Sequence, residues 1–515
     1  MRRAVALALL VAAALTAPAR AAADPWPVGQ AAAIRSADRD PNVRKEEGEN
    51  GALAPVADKV EGHWEVGYFA DGKEVALVLV DRKTGEVTES WTGYQVAWKM
   101  ARGYSGAFGH KLNAPYVFLP LCALFLLGLV DWRRWRRLAN LDLLALLGFG
   151  VSHYFFNRAE IGLSVPLVYP VLLYLLGRAL WIGFRGGSGE GLRPVWPAAW
   201  LLVAALFLMG FRVGLNMADS GVIDVGYASE VGAHRIAHGE PIYGNFPSDV
   251  SQGDTYGPAN YLAYVPFERI WPWSGHWDDL PAAHAAAIAF DLATFLLLIV
   301  LALRIRPGPP GRRLAATLAF GWAAYPYTAF ALESNSNDTL VAALLVATLV
   351  LLARPLARGA GAALATWTKF APVLLAPMLL GYERRRRPAL LFALGFAAIT
   401  VAAMLWPAID PGLHTFYERT VAYQSGRSSP FSVWGQTSLE PLRVALLAAT
   451  GALSVTLAFV PRRKTLVEVA ALGAALLIAL QLTMHHWFYL YVVWFYPLLL
   501  VALARPEATR AARSA

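Results

Sequence analysis

The sequence predicts a mainly α protein, a polytopic bundle of transmembrane helices with a small α+β domain at its N-terminal end. Three observations lead there. Of the 515 residues 57% are hydrophobic, and they fall in long blocks of the kind that helices dissolved in lipid require. The Lys and Arg residues behind a formal net charge of +9 gather in short clusters at the ends of those blocks, so the charge reads as membrane topology and not as a nucleic-acid surface. Residues 24–110 break the pattern, being polar enough to fold as a soluble unit. The single cysteine, Cys122, lies inside an apolar block, which excludes an intrachain disulfide and argues against a thiol catalyst.

Residues 1–23 have the form of a secretory signal peptide: Arg2 and Arg3, an apolar core from Ala4 to Leu15, and Ala21, Ala22 and Ala23 before Asp24. An uncleaved anchor is the alternative, and with either the following segment starts outside. Within 24–110, residues 63–69, 74–81 and 86–91 read as strands, with Asp71-Gly72 and Thr84-Gly85 as turns. Short helices are expected at 31–36 and 94–102. The strings Trp64-Glu65-Val66-Gly67-Tyr68 and Val80-Asp81-Arg82-Lys83-Thr84-Gly85-Glu86-Val87 resemble a PepSY-type domain, which implies a regulatory or packing role; no clustered nucleophile or metal-ligand spacing is present.

Apolar blocks at 112–130, 141–156, 163–184, 195–211, 282–303, 314–330, 339–352, 388–406, 441–460, 466–484 and 487–504 predict about 11 spans. With the chain starting outside, the clusters at 132–137, 185 with 193, 304–313, and 354 with 358 all fall on the cytoplasmic side. Arg358 and Arg384 flank residues 359–381, so this segment reads as a re-entrant hairpin of two half helices, bent at Lys369 and Pro372. That assignment makes Arg462-Arg463-Lys464 and the tail 505–515 cytoplasmic, and it leaves 157–160, 212–281, 331–338, 407–440 and the His485 turn facing outward.

The outward loop 212–281 is rich in Asp, Glu, His, Tyr and Trp where its neighbours are Leu and Ala. Residues 225–238 are expected to form a helix with Asp224 as N-cap. Val225, Ala228, Val231, Gly232 and Ile236 would face the membrane, with Glu230 and His234 paired one turn apart on the polar side. Trp271, Trp273 and Trp277 suit the membrane interface.

Asp224-Val225-Gly226-Tyr227, Gly239-Glu240-Pro241-Ile242-Tyr243, Tyr256-Gly257-Pro258 and Pro266 together resemble the first outer loop of the C-type (GT-C) membrane glycosyltransferases, particularly the polyprenol-phosphate-mannose-dependent mannosyltransferase family. Asn335-Ser336-Asn337-Asp338, Lys369-Phe370-Ala371-Pro372, Ser428-Ser429 and His485-His486-Trp487-Phe488-Tyr489 follow in that family's order. The resemblance implies a GT-C-like membrane domain over 195–504, preceded by additional helices at 111–194. The family's acidic loop usually follows its first span, whereas here three spans and a soluble domain come first. It also implies an integral membrane enzyme that moves a hexose or pentose, mannose favoured, from a polyprenyl-phosphate donor to a lipid or glycan acceptor outside the cell membrane.

The chemistry agrees with that reading. Nucleotide sugars are cytoplasmic, so a transferase facing outward takes its sugar from a lipid-borne donor. Transfer to a hydroxyl needs a base and cations for the departing phosphate. Asp224 is the candidate base, with Asp219 as the alternative. Lys369, Arg427, His485 and His486 are candidates for the phosphate; Tyr256, Glu230 and His234 complete the candidate substrate-binding set. An intramembrane Lys is costly and therefore informative. Asp219, Asp224, Glu230 and Asp254 offer oxygens, but with no close Asp-x-Asp pair the expectation is no obligatory metal and no cofactor. Asp291, inside a span, needs a partner or a polar cavity. The rival classes are a transporter or lipid flippase, using Lys369 and Asp291 as a path, and a membrane scaffold regulated by the N-terminal domain. The first fits the large outer loop poorly and lacks an internal repeat.

Overall fold

The computed structural model describes residues 26–60, 62–70, 73–92, 96, 110–158, 160–185, 191–247, 250–277, 279–426 and 429–504. The expected signal peptide, the Asp71-Gly72 turn, nearly all of the helix expected at 94–102, Arg427, Ser428 and the tail 505–515 lie outside the described residues. The chain forms two compact units, Met1–Arg102 and Gly103–Ala515.

In the first unit, helices α1 (Gln30–Ala37) and α2 (Pro41–Asn50) accompany an antiparallel meander of β1 (Ala54–Val60), β2 (His63–Ala70), β3 (Lys73–Asp81) and β4 (Val87–Thr92), in that order. Trp64, Val66 and Tyr68 alternate into the core beside Val78 and Val80 of β3, and Ala33, Ala37 and Val43 cover them from the helices. Two polar atoms in this core are satisfied: Trp64 Nε1 donates to the Val28 carbonyl at 2.7 Å and Tyr68 Oη to Asp38 at 2.7 Å. β1 and α2 were not expected. Only Val43 of α2 is buried, so PNVRKEEGEN carries no apolar period to read, although Asp40 caps it and Pro41 opens it.

The second unit is helical and integral to the membrane. α3 (Pro115–Leu129) precedes a span, Leu138–Phe156, that bends at Gly148 into α4 (Leu138–Leu147) and α5 (Phe149–Phe156). α6 (Ile161–Arg185) and α7 (Ala198–Asp219) follow, then a polar loop carrying α8 (Asp224–His238) and α9 (Pro258–Glu268), and then α10 (Pro281–Ile305). Further on lie α11 (Gly308–Ala324), α12 (Pro326–Glu333), α13 (Asp338–Val350), α14 (Pro355–Thr368), α15 (Ala376–Leu380), α16 (Arg386–Pro407), α17 (Glu440–Phe459), α18 (Leu466–Gln481) and α19 (Val492–Ala504).

The apolar blocks are less uniform than the sequence suggests. Among the described residues, six helical stretches are long and apolar enough to cross a membrane: Leu138–Phe156, α6, α7, α10, Arg386–Ser425 and α17. The blocks at 112–130, 339–352, 466–484 and 487–504 contain helices of only 13 to 16 residues. The block at 314–330 is divided, because Pro326 holds Tyr325 in extended backbone and ends α11. The expected kink at Lys369 is present: α14 stops at Thr368, and a 3₁₀ turn, Ala371–Leu375, leads into α15.

Burial explains how short helices persist here. Every residue of α19 is buried, as are nearly all of α18, whereas α17 and Arg386–Ser425 are mostly exposed apolar surface. α18 and α19 are core helices wrapped by others, apolar all round.

Two pairs of opposite charges lie inside this core. Arg178 of α6 makes two bonds to Asp142 of α4, at 2.6 and 2.7 Å, and Tyr174 Oη adds a third at 2.7 Å. Arg212 of α7 meets Asp291 of α10 at 2.9 Å, and Trp322 Nε1 of α11 donates to the same carboxylate oxygen at 3.0 Å. Asp291 thus has the partner that its position demands. Arg212→Met or Asp291→Asn is expected to cost about 3–5 kcal/mol by stranding a buried charge, and Arg212→Met/Asp291→Leu much less. Thermal unfolding of the detergent-solubilised variants measures this.

Candidate functional site

The described residues converge on Lys369. Its chain leaves α14 in extended backbone, and its ammonium lies buried, 2.5 Å from Oδ1 of Asp338, the first residue of α13. Trp494 Nε1 of α19 donates to the same oxygen at 2.6 Å. The rings of Trp494, Tyr256 and Tyr491 face the ammonium at 5.1, 5.4 and 5.6 Å from their centroids, close enough for cation–π attraction to offset part of its lost hydration. Asp338 Oδ2 is buried with no hydrogen-bond partner among the described residues.

Local sequence explains the convergence. Asn335 and Asn337 tie the turn before α13 to the polar loop. Asn335 Nδ2 donates to Ser220 Oγ and the Gly221 carbonyl, both at 3.0 Å, and Asn337 Nδ2 donates to Asn260 of α9 at 2.8 Å. Gly226 permits the approach of α8, since a Cβ there would stand 2.2 Å from the Asn335 carbonyl oxygen. Gly257 does the same for the next segment, where a Cβ would come within 2.0 Å of the Trp367 carbonyl oxygen; that contact sets Tyr256 beside Lys369.

Asp224 belongs to this neighbourhood. It is the exposed first residue of α8, with Ile223 in the N-cap position expected for Asp224 itself. Its charge reaches both Lys369 and Tyr256. The Tyr256 hydroxyl is held well above its ordinary pKa by desolvation first and then by Asp224, Tyr491 and Asp338, so it stays a protonated donor.

Other expected residues lie elsewhere or do other work. Asp219, at the end of α7, pairs with Lys111, whose ammonium is 3.5 Å away and whose backbone N–H donates at 3.0 Å. Glu230 and His234 do not pair with each other. Glu230 is buried and accepts the Ala283 N–H at 2.9 Å, satisfying the start of α10, while His234 bonds Glu268 of α9 at 2.8 Å. The stripe expected to face the membrane packs inside the protein instead: Ala228 and Val231 lie against Tyr264, Ala283 and Phe290. Asp254 is consumed by Arg419, which binds it through two bonds of 2.7 Å. His486 Nδ1 pairs with Ser429 Oγ at 2.8 Å and its ring lies 6.2 Å from Tyr491, next to the cluster. His485 points to Glu440 at 3.1 Å and not to the cluster.

Asp338, Tyr491 and Trp494 escaped sequence reasoning. A signal for Asp338 existed, because a buried Lys requires a carboxylate and Asp338 opens an apolar block. The two aromatic residues sit in an apolar run where nothing distinguishes them from packing.

Residues 255–506 match glycosyltransferase family 87. The chain carries a glycosyltransferase domain. That domain contains Tyr256, Asp338, Lys369, His485, His486, Tyr491 and Trp494, and its match begins after Asp219, Asp224, Glu230 and His234. Among solved structures, the crystal structure of ArnT from Cupriavidus metallidurans bound to undecaprenyl phosphate is similar, with a TM-score of 0.39 and 13% identity over 61% of each chain. No match was found among curated protein sequences.

Two outcomes follow from this geometry. Lys369→Met and Asp338→Asn should each destabilise the solubilised glycosyltransferase by about 3–5 kcal/mol, while the double variant loses clearly less than their sum; a double-mutant cycle from unfolding data reads the coupling. Gly226→Ala should lower both melting temperature and turnover, because α8 must shift away from Asn335.

Proposed function

We propose that the protein is a GT-C-type integral membrane glycosyltransferase that moves a hexose or pentose, mannose favoured, from a polyprenyl-phosphate donor to a lipid or glycan acceptor on the extracytoplasmic face. The observation that carries this is the Lys369 cluster: a buried, paired ammonium with a carboxylate, Asp224, exposed beside it. The family 87 match supports the reaction class, and the distribution of Arg clusters supports the outward orientation.

In this reading Asp224 takes the proton of the acceptor hydroxyl as its oxygen bonds to the anomeric carbon. The bond between that carbon and the phosphate oxygen breaks, and the polyprenyl phosphate departs with the electron pair. Lys369 has three donors, one of them used by Asp338, and serves the phosphate with the others. Surrounded by low-dielectric aromatic surface, its charge acts on the leaving group with little screening. Tyr256, whose ring faces the ammonium at 5.4 Å, offers its hydroxyl as a further donor, and His486 extends the polar rim past Tyr491. Arg427 is a further candidate phosphate ligand, and His485 a peripheral one. The N-terminal unit, with its PepSY-like strands, is assigned a regulatory or packing role.

Purified protein supplied with polyprenyl-phosphate sugars and lipid or glycan acceptors should transfer sugar. Asp224→Asn is expected to reduce the rate by about 10²–10⁴-fold, the usual worth of a general base. Asp219→Asn should keep most activity, since that residue is paired to Lys111. Full transfer by Asp224→Asn removes it as the base, and lipid flipping without transfer would favour the transporter class.

A further inference from the structure

Away from the Lys369 cluster, the last turn of α8 and the last residue of α9 bring together three metal-ligating side chains. His234 and His238 stand one turn apart on α8, their ring centroids 4.1 Å from each other, and Glu268 closes α9. One ligand atom from each residue lies within 4.8 Å of those from the other two. We propose that His234, His238 and Glu268 bind a divalent transition metal such as Zn²⁺, which clasps the ends of α8 and α9 together.

Four features support it. Two His residues at i and i+4 present their rings on one helix face, a spacing suited to chelation, and two imidazoles with one carboxylate form a donor set that Zn²⁺ takes readily. The tautomer of His238 is fixed for the purpose. Its Nδ1 lies 2.8 Å from the His234 carbonyl and must donate to it, so Nε2 keeps its lone pair. Glu268 is a buried carboxylate whose described partner is His234, and a carboxylate so placed gains from a cation. Finally, both helices end here, and each C-terminus contributes roughly half an elementary negative charge. Trp273 packs edge-on against His234 at 5.3 Å and shields one side, while exposed His238 leaves the other open for water as a fourth ligand.

The site is separate from the proposed chemistry. Asp224 starts the helix that His238 ends, about 20 Å away at 1.5 Å per residue. The metal would therefore act by holding α8 against α9, where Gly232 already lets the Tyr261 ring pack directly on the helix.

The test uses the full-length protein in detergent, stripped with EDTA and titrated with Zn²⁺ and, separately, Co²⁺. One equivalent of Zn²⁺ should bind per chain, Co²⁺ should give the visible bands of a low-coordinate site, and Zn²⁺ should raise the melting temperature. His238→Ala, an exposed change compatible with folding, should weaken binding by at least about 100-fold, since even groups that only orient a ligand are worth 10–100-fold. It should also abolish the melting shift, and Glu268→Gln should behave alike. His276→Ala, at an exposed histidine outside the cluster, should bind as the unaltered chain does. Equal binding by the unaltered chain and His238→Ala, or no Zn²⁺ binding at all, overturns the proposal and leaves His234 and Glu268 as a simple ion pair. Binding is read without turnover, so this result and the transferase reading stand or fall separately.

Discussion

A lysine ammonium removed from water is the constraint around which the helical unit is arranged. An unpaired charge in that position would cost several kcal/mol, and Lys369 can remain only because Asp338 meets it directly and Trp494 steadies the same oxygen. Three aromatic faces complete the enclosure. These groups come from the break after α14, the start of α13, α19 with the turn before it, and the polar loop. Holding them together explains features that look arbitrary one at a time: the helix broken at Lys369, the asparagines ahead of Asp338, and the glycine before Pro258.

The polar loop is consequently less a loop than a docked platform. Tyr227, Val231 and Tyr264 bury their side chains against α10, Glu230 satisfies the start of that helix, and Arg419 grips Asp254 from the segment after α16. Acidic residues that resemble one another in the sequence have thereby been sorted by burial. Glu230, Asp254 and Asp291 are enclosed and spent on architecture, while Asp224 remains exposed beside the one buried ammonium of the cluster. That sorting argues for Asp224 over Asp219 more strongly than spacing could.

How much of this could be read beforehand depended on whether a signal was local. Apolar blocks and terminal Arg clusters are properties of single segments, so the membrane class and the kink at Lys369 and Pro372 were legible. Helix lengths were not, because α18 and α19 are as apolar as any span and differ only in being surrounded by protein. The strands from His63 to Asp81 alternate visibly, whereas β1 includes Pro55, Asp58 and Lys59 among its seven residues and gives little pattern. In the candidate site Lys369 and Asp224 were identifiable by chemistry, but Asp338 and Trp494 acquire meaning only through partners 31 and 156 positions apart. Glu230 and His234 illustrate the opposite error: one turn apart on a helix, they looked like a pair, yet each is claimed by a neighbouring element.

The position of Trp494 also dictates an order of biogenesis. During synthesis Asp338 leaves the ribosome first, Lys369 follows, and the indole that completes their enclosure arrives only with α19. Until α19 is inserted, the ammonium and its carboxylate must shelter in a partly assembled bundle, among helices that still lack their central neighbour. A chain stopped short of that helix would hold every acidic residue of the polar loop and still have no finished pocket. Assembly of the site therefore waits on the insertion of α19, the helix that carries the Trp494 indole to Asp338.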